Sequence, residues 1–430
     1  MYVKRLVIRN FRCFGDTEIE LNYTGRRATK HRPVPSRLKN VNLLLGGNGS
    51  GKSSVFKALA LGVLAPIIRN SGFQAEYLVQ RKPGSSLSAP VGNGPVKENA
   101  EIRAYLELHD EDASGIPAQP HTIVGQAVIE RTGDFEDIVS TAHNNPDLWE
   151  RIFYNDSAAF FLVGYGASRR TERPEGYSES SRSPRYQRVA NLFEEHVGLS
   201  PFQYGYLQLK DLGFLDEARA ILNTLLPDDV RLTEQTDGRK QLLFDHAGVL
   251  LPFSALSDGY RAFVGWVWDL LLQMGKVRPP GRSRVCEFTR LRGVVIVDEI
   301  DLFLHPGWQR VVIEQVAGTF PRLQFLFSSH SPLIAGGLEA ANIFVPEDGK
   351  VTQYAEDVYG LTANQVLTSS YFGLRSTRAP LTGTLDVSAN RSLGLEPKNE
   401  EIYDAQAEPN DAALDAKERV RRMREGLGAA

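Results

Sequence analysis

The stretch Gly46–Ser54, GGNGSGKSS, constrains this chain more than any other, because it fits the phosphate-gripping pattern GxxxxGK[ST] in full. Val41–Leu45 (VNLLL) precedes it and reads as a buried parallel strand; Val55–Leu64 (VFKALALGVL) follows with helical composition. The motif needs that strand–loop–helix setting. Its glycines let successive backbone N–H groups turn inward around anionic oxygens, and the helix N-terminus adds the positive end of its dipole. In such a loop Gly46, Asn48, Gly49, Ser50, Gly51 and Ser54 wrap the phosphates of a nucleotide. Lys52 reaches the β- and γ-phosphates, and the Ser53 hydroxyl ligates Mg2+. A glycine-rich turn with a chance lysine is the plainer alternative, and it leaves the flanking strand and helix unaccounted for.

A chain of 430 residues can bury a large core, and 42% hydrophobic with 23% charged residues is ordinary for a globular protein. No run of about 18 apolar residues occurs, so no membrane span is expected. The amino terminus, MYVKRLVIRNFRCF, alternates charged with apolar residues and does not read as a secretory signal. Cys13 and Cys286 have no metal-type spacing and suggest a reducing, cytoplasmic setting. The net charge of −3 does not advertise nucleic-acid binding. Basic residues do cluster at Gly25–Lys39 and Arg169–Arg188, where they either meet a phosphate backbone of DNA or another nucleic acid or form solvated loops.

The order of patterns is α/β. Strands are expected at Tyr2–Ile8, Asp16–Leu21, Val41–Leu45, Val230–Glu234, Gln241–Asp245 and Val294–Val297, with Leu323–Phe327 the final buried one. Ile102–Leu108 and Ile123–Arg131 would form an antiparallel arm, and Ala158–Val163 is a further apolar run. Helices are expected around Tyr186–His196, Leu215–Leu226, Asp258–Met274 and Trp308–Phe320. Asn70–Asn99 reads as an irregular excursion, and Leu381–Asp411 as linker before a charged helix at Ala412–Gly426.

Three further motifs follow the P-loop. VVIVDEID, Val294–Asp301, has the Walker B form of a buried strand ending in acids. A carboxylate there is costly to hide unless it serves a cation. Asp298 therefore suits the Mg2+ shell, and Glu299 suits orienting an attacking water. ALSDGYRAF, Ala255–Phe263, puts Ser257, Asp258 and Gly259 at the start of a long helix, where hydroxyl, backbone N–H and dipole make a second anion site. SSHSP, Ser328–Pro332, places His330 directly after a buried strand, within reach of a γ-phosphate.

These four elements, in this order, resemble the ABC-type ATPase heads of the SMC, RecF and OLD group over about Met1–Leu374. LSDGYR resembles the ABC signature, LVIRNFRCFGDTEIEL that group's first hairpin, and DEIDLFLHPGWQR its Walker B with D-loop. The resemblance implies a P-loop NTPase of ABC type. It would have a mixed or parallel sheet core, an antiparallel arm and a short helical signature lobe with lid inserted at 166–290, without a coiled coil. The head would span 1–375, with a linker and helical tail at 376–430. It also implies ATP as the nucleotide, Arg12 close to it, His330 as the switch histidine, and Asp301 at a dimer interface. GYGASRR, the short lid, LSDGYR and YGLTANQVLTSSYFGLRSTRAP narrow the resemblance to compact ATPases of anti-phage defence, as in the Septu (PtuA) and retron-associated systems. Two departures stand out. No Q-loop glutamine lies near Ala158–Arg170, where Tyr165, Ser168 or Arg169 is the substitute on offer, and the tail is not continuously helical.

By that resemblance, ATP on the P-loop of one subunit is capped by the signature of another, giving a homodimer with two composite sites, alone or within a higher oligomer. The leading expectation is an ATP-hydrolysing regulatory subunit that gates a separate effector, such as an HNH-type nuclease. A RecF-like DNA-repair ATPase is the alternative. A transporter subunit is disfavoured by the NFRCF start and the missing glutamine, and a non-hydrolysing scaffold by Glu299. The eight histidines form no nuclease-type cluster, which argues against self-contained DNA cleavage.

Overall fold

The computed structural model describes residues 1–28, 34–81, 97–109, 122–140, 149, 161–171, 182–277 and 288–377. Cys286, the linker and the tail helix expected beyond residue 380 lie outside these, as do parts of both basic segments. Met1–Thr377 forms one compact unit.

Fourteen strands in three sheets carry the described fold. In chain order they are β1 Tyr2–Phe11, β2 Phe14–Glu20, β3 Val41–Leu45, β4 Lys97–Glu107, β5 Thr122–Thr132, β6 Phe135–Ser140, β7 Leu162–Tyr165, β8 Val230–Thr236, β9 Leu242–His246, β10 Val249–Pro252, β11 Gly293–Val297, β12 Leu323–Ser329, β13 Ile343–Glu347 and β14 Lys350–Thr352. The helices are α1 Lys52–Arg69, α2 Pro184–Phe193, α3 Phe202–Leu212, α4 Leu215–Leu225, α5 Asp258–Lys276, α6 Pro306–Gln309, α7 Val312–Thr319, α8 Pro332–Ala335 and α9 Ala363–Thr368.

The central sheet runs β14-β13-β3-β12-β11-β7, parallel except for its edge strand β14. Its strands are apolar on both faces, and the period-two alternation sorts them between two cores. Leu43, Val295, Val297, Phe325 and Phe327 face a core shared with α3, α4, α5 and α7. Leu44, Val294, Ile296 and Leu326 face the other, which holds α1 and the antiparallel sheet β2-β1-β4-β5-β6. Helix α1 is thus sandwiched between two sheets, which is why it carries no polar face. It crosses the antiparallel sheet in close backbone contact, since a Cβ on Gly125 would lie 2.1 Å from the Gly62 carbonyl oxygen.

A buried amide seam joins the two sheets. The side chain of Gln324 on β12 receives the Val3 N–H at 2.8 Å and donates to the Val3 and Asn22 carbonyls. Asn42 on β3 receives the Asn22 N–H at 2.6 Å and donates to the Asn22 and Phe325 carbonyls. These polar residues interrupt VNLLL and LQFLF because each pairs backbone groups that would otherwise be buried unsatisfied.

Two expectations need correction. Leu323–Phe327 is not the final buried strand, because β13 adds to the sheet beside β3. Trp308–Phe320 is two short helices, broken at Arg310–Val311, where Val311 leaves the helical conformation at φ −120°. The expected antiparallel arm is present as β4 and β5, within a five-stranded sheet that includes the amino-terminal hairpin. In the segment 359–377 the described helix is α9, 6 residues fixed by a Thr362–Gln365 capping box, in keeping with a tail that is not continuously helical. Helix α3 was unforeseen because Gly205 interrupts its pattern; a Cβ there would meet Trp268 Nε1 at 2.8 Å. Among the described residues no helix is long and apolar enough to cross a membrane.

Candidate nucleotide site

Strand order creates the site. β3, β12 and β11 are parallel neighbours, so the loops at their carboxyl ends open on one edge of the sheet. β3 delivers the P-loop, β12 delivers Ser328–His330, and β11 delivers Asp298–Glu299. β7 lies beside β11 and delivers the turn that carries Arg169.

Lys52 begins α1, and its Nζ donates to the Gly46 carbonyl at 2.9 Å and the Gly47 carbonyl at 3.0 Å. The same Nζ stands 2.9 Å from His330 Nε2, a contact that needs that nitrogen unprotonated. Burial lowers both groups below their ordinary pKa values. In His330 the Lys52 charge adds to the lowering, while Asp298, Glu299 and Asp301 oppose it in both. Gly51 caps α1 at φ +106°, and a Cβ there would meet Cys13 Sγ at 2.6 Å, so only glycine lets the first hairpin press against the P-loop.

Asp298 is 5% exposed and bracketed by two hydroxyls. Ser53 Oγ donates to Oδ2 at 2.6 Å, and Ser328 Oγ donates to Oδ1 while receiving the Glu299 N–H at 2.7 Å. A hydroxyl facing a carboxylate is a hard-oxygen donor set, and it fits a Mg2+ that takes its remaining ligands from water and substrate oxygens. Among the described residues no group of three or more His, Cys, Asp or Glu could hold a metal by itself.

Glu299 adopts φ +50°, a left-handed conformation unusual for a bulky residue. Its backbone is pinned from both sides: Ser328 takes its N–H, and Arg169 Nη2 donates to its carbonyl at 2.9 Å. Arg169 Nη1 also donates to the Asp298 carbonyl. The guanidinium is 6% exposed, and burial lowers its pKa to about 10 against the pull of Asp298, Glu299 and Asp301.

A cavity of about 470 Å³ is lined by Asn48, Gly49, Gly51, Lys52, Ser53 and Ser54 of the P-loop together with Arg12, Glu299 and His330. Gly46 and Ser50 stand behind the loop, the first through its carbonyl and the second with its hydroxyl buried. Ser257, Asp258 and Gly259 do not line it. Ser257 is the N-cap of α5, where its hydroxyl accepts the Tyr260 N–H at 3.5 Å, and both Ser257 and Asp258 are exposed. A Cβ on Gly259 would lie 2.5 Å from the Phe303 carbonyl, so the signature turn packs on the Asp301–Phe303 loop of its own chain. Asp301 does not line the cavity either, and its Oδ1 is buried without a hydrogen-bond partner.

Of the three substitutes offered for a Q-loop glutamine, Arg169 reaches the Walker B backbone and not the cavity. Tyr165 turns its phenol into the core, and Ser168 donates weakly to the Glu195 carbonyl at 3.4 Å. Sequence reasoning gave no role to Ser328, although it opens the motif that marked His330. It also missed Tyr77, Val79 and Arg81, which line the cavity from an excursion that read as featureless.

Fold and site together resemble those of P-loop ATPase heads: a parallel sheet whose carboxyl edge gathers a P-loop, a pair of acids and a histidine. Residues 127–336 match the family model described as "AAA domain, putative AbiEii toxin, Type IV TA system", and residues 5–145 match one described as "AAA domain". Among curated proteins, the chain is 25% identical over 390 residues to the Septu protein PtuA of Bacillus mycoides (strain KBAB4), covering 90% of this chain and 46% of that one. It is 29% identical over 126 residues to the "Retron Ec83 probable ATPase" of Escherichia coli, covering 29% of this chain and 22% of that protein. The resemblance to Septu PtuA that the motifs implied is thus found along most of the chain and that to a retron ATPase over less than a third of it; the chain spans less than half the length of these relatives. A solved SMC head domain from Thermotoga maritima superposes with a TM-score of 0.43 at 15% identity, over 83% of this chain and 100% of that one, a likeness too loose to carry an argument.

Proposed function

We propose that the chain is a cytoplasmic ATPase subunit of an anti-phage defence system, which dimerises around ATP and gates a separate effector, such as a nuclease. The observation that carries this reading is the divided machinery. Lys52, Ser53, Glu299 and His330 line one cavity, while Ser257 and Asp258 sit exposed outside it with Gly259 beside them, so a site needing both sets is completed by a second copy.

In this reading the P-loop amides and Lys52 bind the triphosphate. Ser53 and Asp298 would hold Mg2+, which when bound neutralises phosphate charge and polarises the transferred group. Glu299, fixed in its left-handed conformation, aims its carboxylate at the attacking water and accepts its proton. His330 exchanges its contact with Lys52 for one with the γ-phosphate and so registers whether that phosphate is present. Arg12 flanks the nucleotide, and the Asp301 loop with the signature turn faces the second copy. ATP favours the closed dimer because it contacts both subunits, and hydrolysis removes that differential affinity.

The test is Glu299→Gln. The variant should bind ATP, lose phosphate release by a hundredfold or more (on the order of the loss of a general base), and accumulate as a dimer in sedimentation with ATP and Mg2+. Hydrolysis at the wild-type rate would remove Glu299 from its role.

A further inference from the structure

We propose that Tyr77 and Arg81 form the base-recognition edge of the nucleotide cavity, the Tyr77 ring being the platform on which the purine of a nucleoside triphosphate stacks. This rests on the reading of the P-loop as the triphosphate site and names what lies at the other end.

The cavity does not stop at the phosphate grip. Its wall continues from Gly51 and Lys52 past Arg12 and Cys13 to Tyr77, Val79 and Arg81. At about 470 Å³ it is in the range that holds a small-molecule ligand, and more than a phosphate chain needs. Tyr77 is 59% exposed, a large aromatic presented at a cavity mouth where burial does not explain it. Its backbone adopts φ +55°, which bulky residues avoid, so the surrounding structure imposes the orientation.

The imposing contacts are built in. Glu136 on β6 has a fully buried side chain, and its carboxylate accepts the Leu78 N–H at 2.6 Å and the Val79 N–H at 3.3 Å. The Leu78 carbonyl receives the Arg12 N–H at 2.8 Å, and the Gln80 N–H reaches the Asn10 carbonyl at 2.9 Å. The segment is therefore laced to the same hairpin corner against which Gly51 packs, at a set distance from the phosphate grip. Arg81 lays its guanidinium over the Tyr77 ring, 4.4 Å from the centroid, while one of its nitrogens lies 3.8 Å from Glu136. A cation on one face of the ring leaves the other face for a planar base and holds the ring still. Guanidinium donors beside it suit the ring-nitrogen acceptors of a purine.

The test compares binding of ATP, CTP and inorganic tripolyphosphate, each with Mg2+, to the full chain and to Tyr77→Ala and Tyr77→Phe by calorimetry. Stacking on an aromatic contributes about tenfold or more in affinity. Wild type should bind ATP about tenfold more tightly than tripolyphosphate and more tightly than CTP. Tyr77→Ala should erase that advantage while leaving tripolyphosphate binding unchanged, and Tyr77→Phe should keep it. An ATP preference undiminished in Tyr77→Ala, or wild type that holds tripolyphosphate as tightly as ATP, overturns the base edge alone. Wild type that binds neither ligand overturns the triphosphate reading beneath it. The exposure of Tyr77 makes these substitutions safe for folding.

Discussion

The phenol of Tyr165 donates to the carboxylate of Asp269 at 3.1 Å in the interior of the protein, tying the strand beside Walker B to the signature helix. The same residue's carbonyl receives the Asp298 N–H at 2.8 Å, so one side chain and its own backbone touch both halves of the machinery. Asp269 is 7% exposed and burial raises its pKa, while the neighbouring Arg188 guanidinium is lowered to about 10 by burial against the pull of Asp269 and Tyr165. Tyr165→Phe removes one donor from this buried group. It should cost about 1–3 kcal/mol in urea denaturation, the penalty for a buried polar group left short of a partner. Unchanged stability would mean that the carboxyl finds another donor.

Arg169 acts through the backbone it holds rather than by touching substrate. Lysine offers its donors from a single nitrogen and lacks the two planar, separately placed N–H groups with which the guanidinium holds successive carbonyls. Arg169→Lys should therefore leave ATP affinity within about twofold and lower kcat by about tenfold, corresponding to the loss of one such bond. A variant that lost binding and turnover together would point to a general structural role instead.

The contact between Lys52 and His330 has a pH signature. The folded-state pKa of His330 is held below its ordinary 6.5, so the unfolded chain takes up the proton first as pH falls. The stabilising contribution of the neutral imidazole is thus full above 6.5 and is lost as pH falls through the lower folded-state value. Nucleotide-free wild type should lose stability over that window relative to His330→Gln, which does not titrate. Denaturation midpoints that run parallel with pH in the two proteins would remove the effect.

The amide seam makes a purely structural prediction. Gln324→Leu leaves two backbone groups, the Val3 N–H and the Val3 carbonyl, without this partner, while the Asn22 carbonyl keeps Asn42. At about 1–3 kcal/mol for each buried group left unpaired, the loss should reach several kcal/mol, measured as a lowered unfolding midpoint. A loss under about 1 kcal/mol would show that water or a rotated neighbour replaces the amide.

What the chain disclosed in advance was whatever its chemistry concentrates in a few consecutive residues. The P-loop, the acids ending β11, the capped start of α5 and the histidine after β12 are all local, and each lies where its motif implied. The residues that hold them in place were not legible. Gln324 meets Val3 across a separation of 321 positions, and Arg169 meets Asp298 across 129, distances over which no pattern in a single sequence carries information. Tyr77 was hidden for another reason. It lies in a run without periodicity, and hydrogen bonds to the amino-terminal hairpin and to Glu136, on the third strand after it, give that run a shape.

Gly259 lies so close to the Phe303 carbonyl that not even a methyl group fits between them. The signature turn and the loop after Walker B therefore form a single surface element, although 44 positions separate these two residues in the sequence. Evolution cannot retune one without re-fitting the other. A neighbouring molecule that grips the exposed ring of Phe303 thereby has a handle on Ser257 as well.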